Sequence, residues 1–403
     1  MANGAIDHIV SLIILMAAIS IFIGLYSQNM QTGLTYERHN ALSTKTSDLL
    51  DNMLLNPGIP STWGQGDGAI VGFGLQDPVY AEYELSPFSC MRLTSTQSPV
   101  YYPRTGAYYS NESAGFGSYL LAPTAKCVNY SAVSKILGVN GTFGFQLTLT
   151  PTITVSIQEK SMSPLQLSVT VDGTGYPLAN APISYSLILV NQNANTYPSY
   201  TILNGVSTTD AAGAAQLSFS QVTSETQSYA LIVYSYLDGL KGIGYCVHDS
   251  PNLAKTVVPL VDSFQNDSIL LVHGNTIGQQ VSGYSQLCYN ASFFLLADDY
   301  TLRQVVLDSQ TSSGKLISGG GVGQDYVSLT LPNNDGILVV TYKDGSGNYG
   351  VVLMPWGLGT LAFPLTFGGN PVGQEWVTTD IRQVTIGSIA YHAQLSLWNQ
   401  GVS

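Results

Sequence analysis

AIDHIVSLIILMAAISIFIGLYSQNM, residues 5–30, decides how the rest of the chain is understood. From Ile9 to Tyr26 no side chain is charged. At ~1.5 Å rise per residue that run spans about 27 Å, close to the hydrocarbon thickness of a bilayer. A cleaved secretory signal wants a basic leader and an apolar run of only about 7–15 residues. Here MANGAIDH contains neither Lys nor Arg and the apolar run is longer, so the segment is expected to remain as a membrane-spanning helix.

The helical pattern continues past the apolar run. Leu42, Leu49, Leu50, Met53 and Leu54 fall on one face at helical spacing, with Lys45 and Asp48 on the other. Asn56-Pro57-Gly58 ends the pattern, because Pro has no amide donor and Gly accepts a left-handed turn. A helix from about Asp7 to Leu55 would be roughly 75 Å long, and Gly33 offers a place for a kink. Ser20-x-x-x-Gly24 would let two such helices approach closely. Residues 1–56 are thus expected to form a transmembrane and stem helix.

Composition points to a β-rich remainder. Charged residues make up 9% of the 403 residues, against ~25% in ordinary soluble domains, while Gly (41) and Tyr (25) are abundant. The net charge is −12, and the 13 Lys and Arg are scattered, so no basic stripe exists for nucleic acid. Cys90, Cys127, Cys246 and Cys288 form no Cys-x-x-Cys motif. They are expected to pair as two disulfides, one clipping loops of the first outer region and one tying the two later regions together. Asn-x-Ser/Thr sequons at Asn111, Asn129, Asn140, Asn266 and Asn290 all lie downstream of the apolar segment, as in an exported glycoprotein. The first basic residue is Arg38, so the positive-inside rule has little to count; sequons, cysteines and the acidic body place the C-terminal side outside the cell.

The outer body divides by pattern into three. Residues 57–160 are rich in Gly, Pro and Tyr, ending in a strand where Phe143, Phe145, Leu147 and Leu149 alternate. Residues 161–252 hold short strands, among them LQLSVTV (165–171) and a hairpin about Asp238-Gly239, the description of an immunoglobulin-like sandwich. Residues 253–403 repeat the theme with a second Asp-Gly hairpin and close on VTIGSIAYHAQLSLW, where Ile389, Tyr391, Ala393, Leu395 and Leu397 alternate. The fold class expected is mainly β: a long N-terminal transmembrane and amphipathic helix, a β-rich head packed on its upper part, and β-sandwich domains beyond.

A leader ending in Gly4, the acidic Asp7 just inside the apolar segment and one long helix feeding a β-rich head resemble the archaeal type IV pilin-like proteins with class III signal peptides. The resemblance covers about the first 160 residues, including LLDNMLLNPGIPSTWG and YELSPFSCMRL. It implies cleavage between Gly4 and Ala5, although Asn3 stands where the pattern carries a basic residue. It also implies that Asp7 meets a neighbouring subunit's N-terminal amine; taken alone, Asp7 reads as a cap of the first helical turn. PLANAPISY with STTDAAGAAQLSF is similar to bacterial and archaeal Ig-like surface repeats, which implies spacer or adhesion modules.

Motifs that carry chemistry are sparse. No nucleophile elbow, zinc helix or phosphate loop occurs in the sequence. DGSGNYG (344–350) places Asp344, Ser346 and Asn348 at calcium-like spacing, but Pro355 stands where a bidentate Glu is needed, so a hairpin turn is expected. Asp298-Asp299, His248 beside Asp249, and His273 are expected to be surface or strand positions. The sequence therefore points to no catalytic, cofactor or metal site and to a non-enzymatic surface protein. Its expected partners are membrane lipid, other surface proteins, glycans or further copies of itself. A processed filament subunit and a ligand-binding ectodomain are the alternatives.

Overall fold

A computed structural model of the chain describes residues 2–400 apart from 80–81, 95–98, 104, 111, 114–118, 193–197, 251–252, 254–255, 275–286, 298, 308–309, 312–313, 320–325 and 345–346. The stem is one helix, Ala2–Leu54, about 80 Å long at 1.5 Å per residue and uninterrupted at Gly33. From residue 8 to residue 41 every position is exposed, whereas Leu42, Leu49, Leu50, Met53 and Leu54 are buried. The stripe legible in the sequence is therefore the face that docks. It packs on two strands near the other end of the chain, Val377–Ile386 and Ile389–Asn399.

Polar contacts fix that docking. The Thr46 and Thr378 hydroxyls share a buried hydrogen bond of 2.6 Å. Arg382 grips the stem with a fork, Nε donating to Asp51 Oδ1 at 3.0 Å and Nη2 to Asp51 Oδ2 at 3.3 Å and to Ser47 Oγ at 2.8 Å. Below Leu54 the chain turns sharply. Gly58 sits at φ +83°, where a Cβ would come within 2.8 Å of Gly72 O, and the Asn56 side chain accepts from its amide at 3.1 Å.

The head sheet runs Glu84–Leu85, Val377–Ile386, Ile389–Asn399, Phe143–Pro151, Leu365–Gly368. Its first pair is parallel and the rest antiparallel. This corrects the expected grouping of 253–403 as one sandwich. Residues 365–399 complete the head, and Leu395 lies opposite Leu147. Local alternation identified the last strand but carried no information about its partner.

The first sandwich begins at Ile153, earlier than the expected residue 161. One sheet holds Ile153–Met162, Leu165–Gly173 and Ala214–Phe219; the other holds Ser199–Thr208, Pro182–Asn191, Tyr229–Leu237 and Leu240–His248. The parallel contact of Ile243 with Thr154 joins them, an immunoglobulin-like arrangement. At that join a Cβ on Gly244 would lie 2.4 Å from Val155 O, so a glycine is required for the approach. The expected hairpin turns at Asp238 (φ 51°) and Gly239 (φ 85°), the backbone of a two-residue type I′ turn. The second sandwich packs a three-stranded sheet, Thr256–Ser263, Ser268–Gly274 and Tyr326–Thr330, with a sheet built around Leu287–Leu296, Gly336–Lys343 and Tyr349–Trp356.

Three bodies share one interior. Leu187, Leu231 and Val233 fill the inside of the first sandwich. Ile188, Val190, Ala230, Ile232 and Tyr234, on the opposite face of the same strands, join a continuous cluster with the head and the second sandwich. Strands buried on both faces read as unbroken apolar runs, as in YALIVYSYL and GILVVTYK. If the stem's docking face holds the head together, Leu50→Ala is expected to destabilise the detergent-solubilised protein by about 2–5 kcal/mol, while the exposed Lys45→Ala stays within about 0.5 kcal/mol. Thermal unfolding compares the two, and equal effects would overturn the docking.

Candidate functional site

The chain's chemistry concentrates at the junctions between these bodies. Arg92 follows the short helix Pro87–Met91 and is almost wholly buried. Its Nε donates to Lys126 O at 2.9 Å, Nη2 to Gly68 O at 2.9 Å and Nη1 to Trp63 O. The guanidinium lies 5.4 Å from the Trp63 ring centre and 6.0 Å from that of Phe264. Phe264 belongs to a hairpin turn of the second sandwich, so Arg92 reaches across the head's boundary. Beside it, Asp67 accepts from Ser263 Oγ at 2.7 Å, Phe264 N at 2.9 Å and Lys126 Nζ at 3.0 Å. Burial pushes the Asp67 carboxyl up, but the bonds from Ser263, Lys126 and Phe264 outweigh it and hold it below the usual carboxylate range.

A second junction joins the two sandwiches. Tyr200 OH donates to Ser292 Oγ at 2.8 Å, Ser228 Oγ to Tyr349 O at 2.6 Å, and Tyr349 OH to Gln192 O at 2.7 Å. Asp249 lies just past the last strand of the first sandwich and turns its carboxylate into the second. Oδ1 accepts from Val351 N at 2.8 Å and Oδ2 from Tyr342 OH at 3.2 Å. Desolvation pushes this carboxyl up to about 7, against the two hydrogen bonds.

A cleft of about 780 Å³ opens between the head and the second sandwich. Asp77, Glu84 and Asp335 line it together with Phe88, Leu295 and Asn333. Burial raises the Glu84 carboxyl, opposed by a hydrogen bond from Thr385 and reinforced by the charges of Asp77 and Asp335. Burial likewise raises Asp335. An acid-lined cleft favours cationic groups. Its Ser86 Oγ caps the helix Pro87–Met91 by accepting from Ser89 N at 3.3 Å. Among the described residues no group of three or more His, Cys, Asp or Glu is placed to hold a metal ion.

A fourth cluster lies at one end of the first sandwich. Tyr229 OH donates to Glu159 Oε2 at 2.7 Å, and His248 Nδ1 stands 3.7 Å from the same oxygen while Nε2 meets Ser224 O at 2.8 Å. The Tyr229 and His248 rings stack at 5.3 Å. Cys246 is close by, but burial pushes its thiol up to about 12. A thiol so far from ionisation is a poor nucleophile.

The sequence-predicted positions fare unevenly. All four cysteines are free thiols, a correction of the two expected bridges. Cys90 is inside the head core, where burial pushes its thiol up, whereas Cys127 Sγ meets Thr94 Oγ1 at 3.1 Å. Cys246 faces the interior of the first sandwich, while its neighbours Tyr245 and Val247 face the shared cluster; it therefore points away from Cys288 on the second sandwich. Asn129, Asn140 and Asn266 are exposed. Asn290 is wholly buried opposite Thr341, with no hydrogen-bond partner for its amide, so the folded chain presents no glycan acceptor there. Asn111, Asp298 and Ser346 lie outside the described residues, as do the side chains of Asp7 and His273. Gly4 and Ala5 are within the stem helix. Asp344 accepts from Asn348 N at 2.9 Å, closing a hairpin turn as expected. Asp299 accepts from Thr301 N at 3.1 Å and Thr301 Oγ1 at 2.6 Å in an exposed turn. The sequence did not single out Arg92, Glu84 or Asp335, and Asp249 was noted only as a neighbour of His248. Each is an isolated charge in an apolar or turn context, and only the tertiary fold gives it a partner.

No family model matches the chain, and no curated protein matches it. Among solved structures, trypsin-activated alpha-2-macroglobulin from Escherichia coli is 14% identical over 58% of this chain and 18% of that chain, with a TM-score of 0.20. A two-domain fibronectin type III segment of chicken tenascin is 8% identical over 50% of this chain and 98% of that one, at 0.16. The D0–D1 domain of intimin is 11% identical over 55% and 98%, at 0.20. Scores this low carry no argument about function.

Two outcomes test the junctions. Arg92→Ala leaves the buried Trp63 carbonyl and the part-buried carbonyls of Lys126 and Gly68 without their donor and leaves Asp67 with one cation fewer beside it, and a loss of about 2–4 kcal/mol in urea unfolding is expected. Arg92→Lys is expected to recover only part of it, since an ammonium cannot reproduce the fork; full recovery would argue against the fork. Asp249, raised in the folded state, contributes stability that is complete below its unfolded pKa and lost as pH rises through about 7. Wild type should therefore lose on the order of a few kcal/mol relative to Asp249→Asn between about pH 4 and pH 8, read as the difference between their melting profiles. Parallel profiles would overturn this role.

Proposed function

We propose that the chain is a single-pass, membrane-anchored structural or adhesion protein of the cell surface, of the archaeal kind its first 160 residues resemble, with head and sandwiches outside the cell. One observation carries the reading: a single continuous helix is apolar and uncovered along its first half and built into the folded body along its last. Ile9, Phe22 and Leu25 are 58%, 70% and 56% exposed, and the apolar window has a mean hydropathy of 2.6 with none of it buried. A buried core helix passes the same hydropathy test but is covered by its own protein; this one is not.

Magnitude favours lipid as the cover. Isoleucine, leucine, valine and phenylalanine each gain roughly 0.3–0.6 kcal/mol at the centre of a spanning helix. Ile9 to Tyr26 contains eleven of them and no charge to offset the gain. In this reading the outer body is a scaffold that presents surface to other surface proteins or glycans. Protease treatment of intact cells is expected to release a fragment beginning near residue 40; full protection of residues 60–403 would sink the assignment.

The stem-on-sheet construction also favours a second reading, a pilin-like filament subunit processed between Gly4 and Ala5, in which neighbouring helices cover the same apolar face. The mass of the native N-terminal peptide separates the two. A start at Ala5 supports the filament subunit, whereas an intact Met1 or a start at Ala2 supports the anchor.

A further inference from the structure

Resting on the membrane-anchored reading, we propose that the underside of the head makes a second contact with the bilayer, in which Arg38 on the stem and Trp376 on the loop before the strand Val377–Ile386 engage the phosphate layer of the lipid headgroups. The proposal begins with position along the stem. Counted from Ile9, a hydrocarbon layer of about 30 Å is used up within about twenty residues, near Met30, and the headgroups add about 5–7 Å more. Thr35 then stands about 8 Å and Arg38 about 12 Å above the hydrocarbon edge. Helical side chains lean toward the N-terminus, so the Arg38 side chain reaches back toward the lipid, as long basic side chains do at interfaces.

The head meets the stem at this same level. Thr35, Arg38, His39, Leu42, Trp376 and Asn399 line a small pocket of about 90 Å³. Trp376 is 50% exposed, while Trp63, Trp356 and Trp398 are 2%, 0% and 4% exposed. Val372 on the same loop is 81% exposed. An indole beside the exposed Val372, just above the headgroup layer by the same count and within side-chain reach of it, matches the preference of Trp for membrane interfaces. The intervening stem is not built for bulk water either, since Met30, Leu34 and Tyr36 are 50%, 50% and 70% exposed. Glu37 and Glu375 are sequence neighbours of Arg38 and Trp376, so the patch has no net positive field. Recognition therefore rests on a guanidinium bonding a phosphodiester oxygen and depends little on the anionic lipid fraction.

Because the other three tryptophans are buried, lipid quenching of fluorescence reads Trp376. The full chain, reconstituted in phosphatidylcholine vesicles and shown to be inserted by resistance to carbonate extraction, is expected to be quenched by lipid spin-labelled at the headgroup. The quenched component should be lost in Trp376→Phe, weakened in Arg38→Gln and little changed when phosphatidylglycerol is added. Inserted protein whose Trp376 is as open to aqueous acrylamide as in detergent, and is not quenched by the headgroup label, would overturn the second contact and leave the anchor standing. Complete extraction by carbonate would remove the anchor and the contact with it.

Discussion

The architecture depends on one long-range pairing, the insertion of Ile389–Asn399 between Phe143–Pro151 and Val377–Ile386. Roughly 240 residues separate its first partner from it, and closing a flexible loop of that length costs about 5 kcal/mol. Burial outweighs this. Leu147, Leu149, Leu395 and Leu397 are each at most 1% exposed, and each contributes about 1.5–3 kcal/mol. Both sandwiches fold inside the loop and shorten the gap to be closed. The stem docks on the hairpin so formed, which makes the uncovered helix and the folded body a single mechanical unit.

Charge is scarce, and several of its members sit where bodies meet. Arg92 with Asp67 and Lys126 joins the head to the second sandwich, Arg382 with Asp51 joins head to stem, and Asp249 joins the two sandwiches. An apolar contact of the same size would be indifferent to sliding, whereas a guanidinium serving three carbonyls accepts one alignment. The wholly buried Asn290 amide beside the Tyr200–Ser292 bond shows that the junction between the sandwiches is more polar than a domain core. A charge-poor chain thus concentrates directional interactions at its boundaries and leaves the element interiors to apolar packing.

Elements were legible in the sequence where periodicity and turn chemistry agree. The stem stripe, the Asp238-Gly239 hairpin and the alternating strand after Thr142 follow from spacings of 3.6 and 2 residues. Partners were not legible. Nothing in IAYHAQLSLW distinguishes a sandwich strand from one that returns to the head, and cysteine counting suggests bridges without knowing that Cys246 points inward. The sequon at Asn290 fails for the same reason, because a tripeptide pattern is blind to burial. Of the junction sites only carboxylates in turns could have been flagged, and most carboxylates in turns are solvated.

Placement of the sandwiches limits how the folded body can carry load. Thr152 N bonds Ala390 O at 2.9 Å and Tyr245 stacks on Phe363 at 5.8 Å, so the first sandwich touches the head; Phe264 against Arg92 does the same for the second. The modules therefore lie beside one another, each in contact with the head, and not end to end. A string of modules gains reach and loses rigidity with every hinge, while this arrangement gives up reach for a block whose parts share an interior. Force applied to either sandwich passes into the return strands and from them to Leu42–Leu54 of the stem. A block loaded in that way passes the whole load through one docking face, so the Arg382–Asp51 fork and the buried Thr46–Thr378 bond are placed where sliding of the stem would begin.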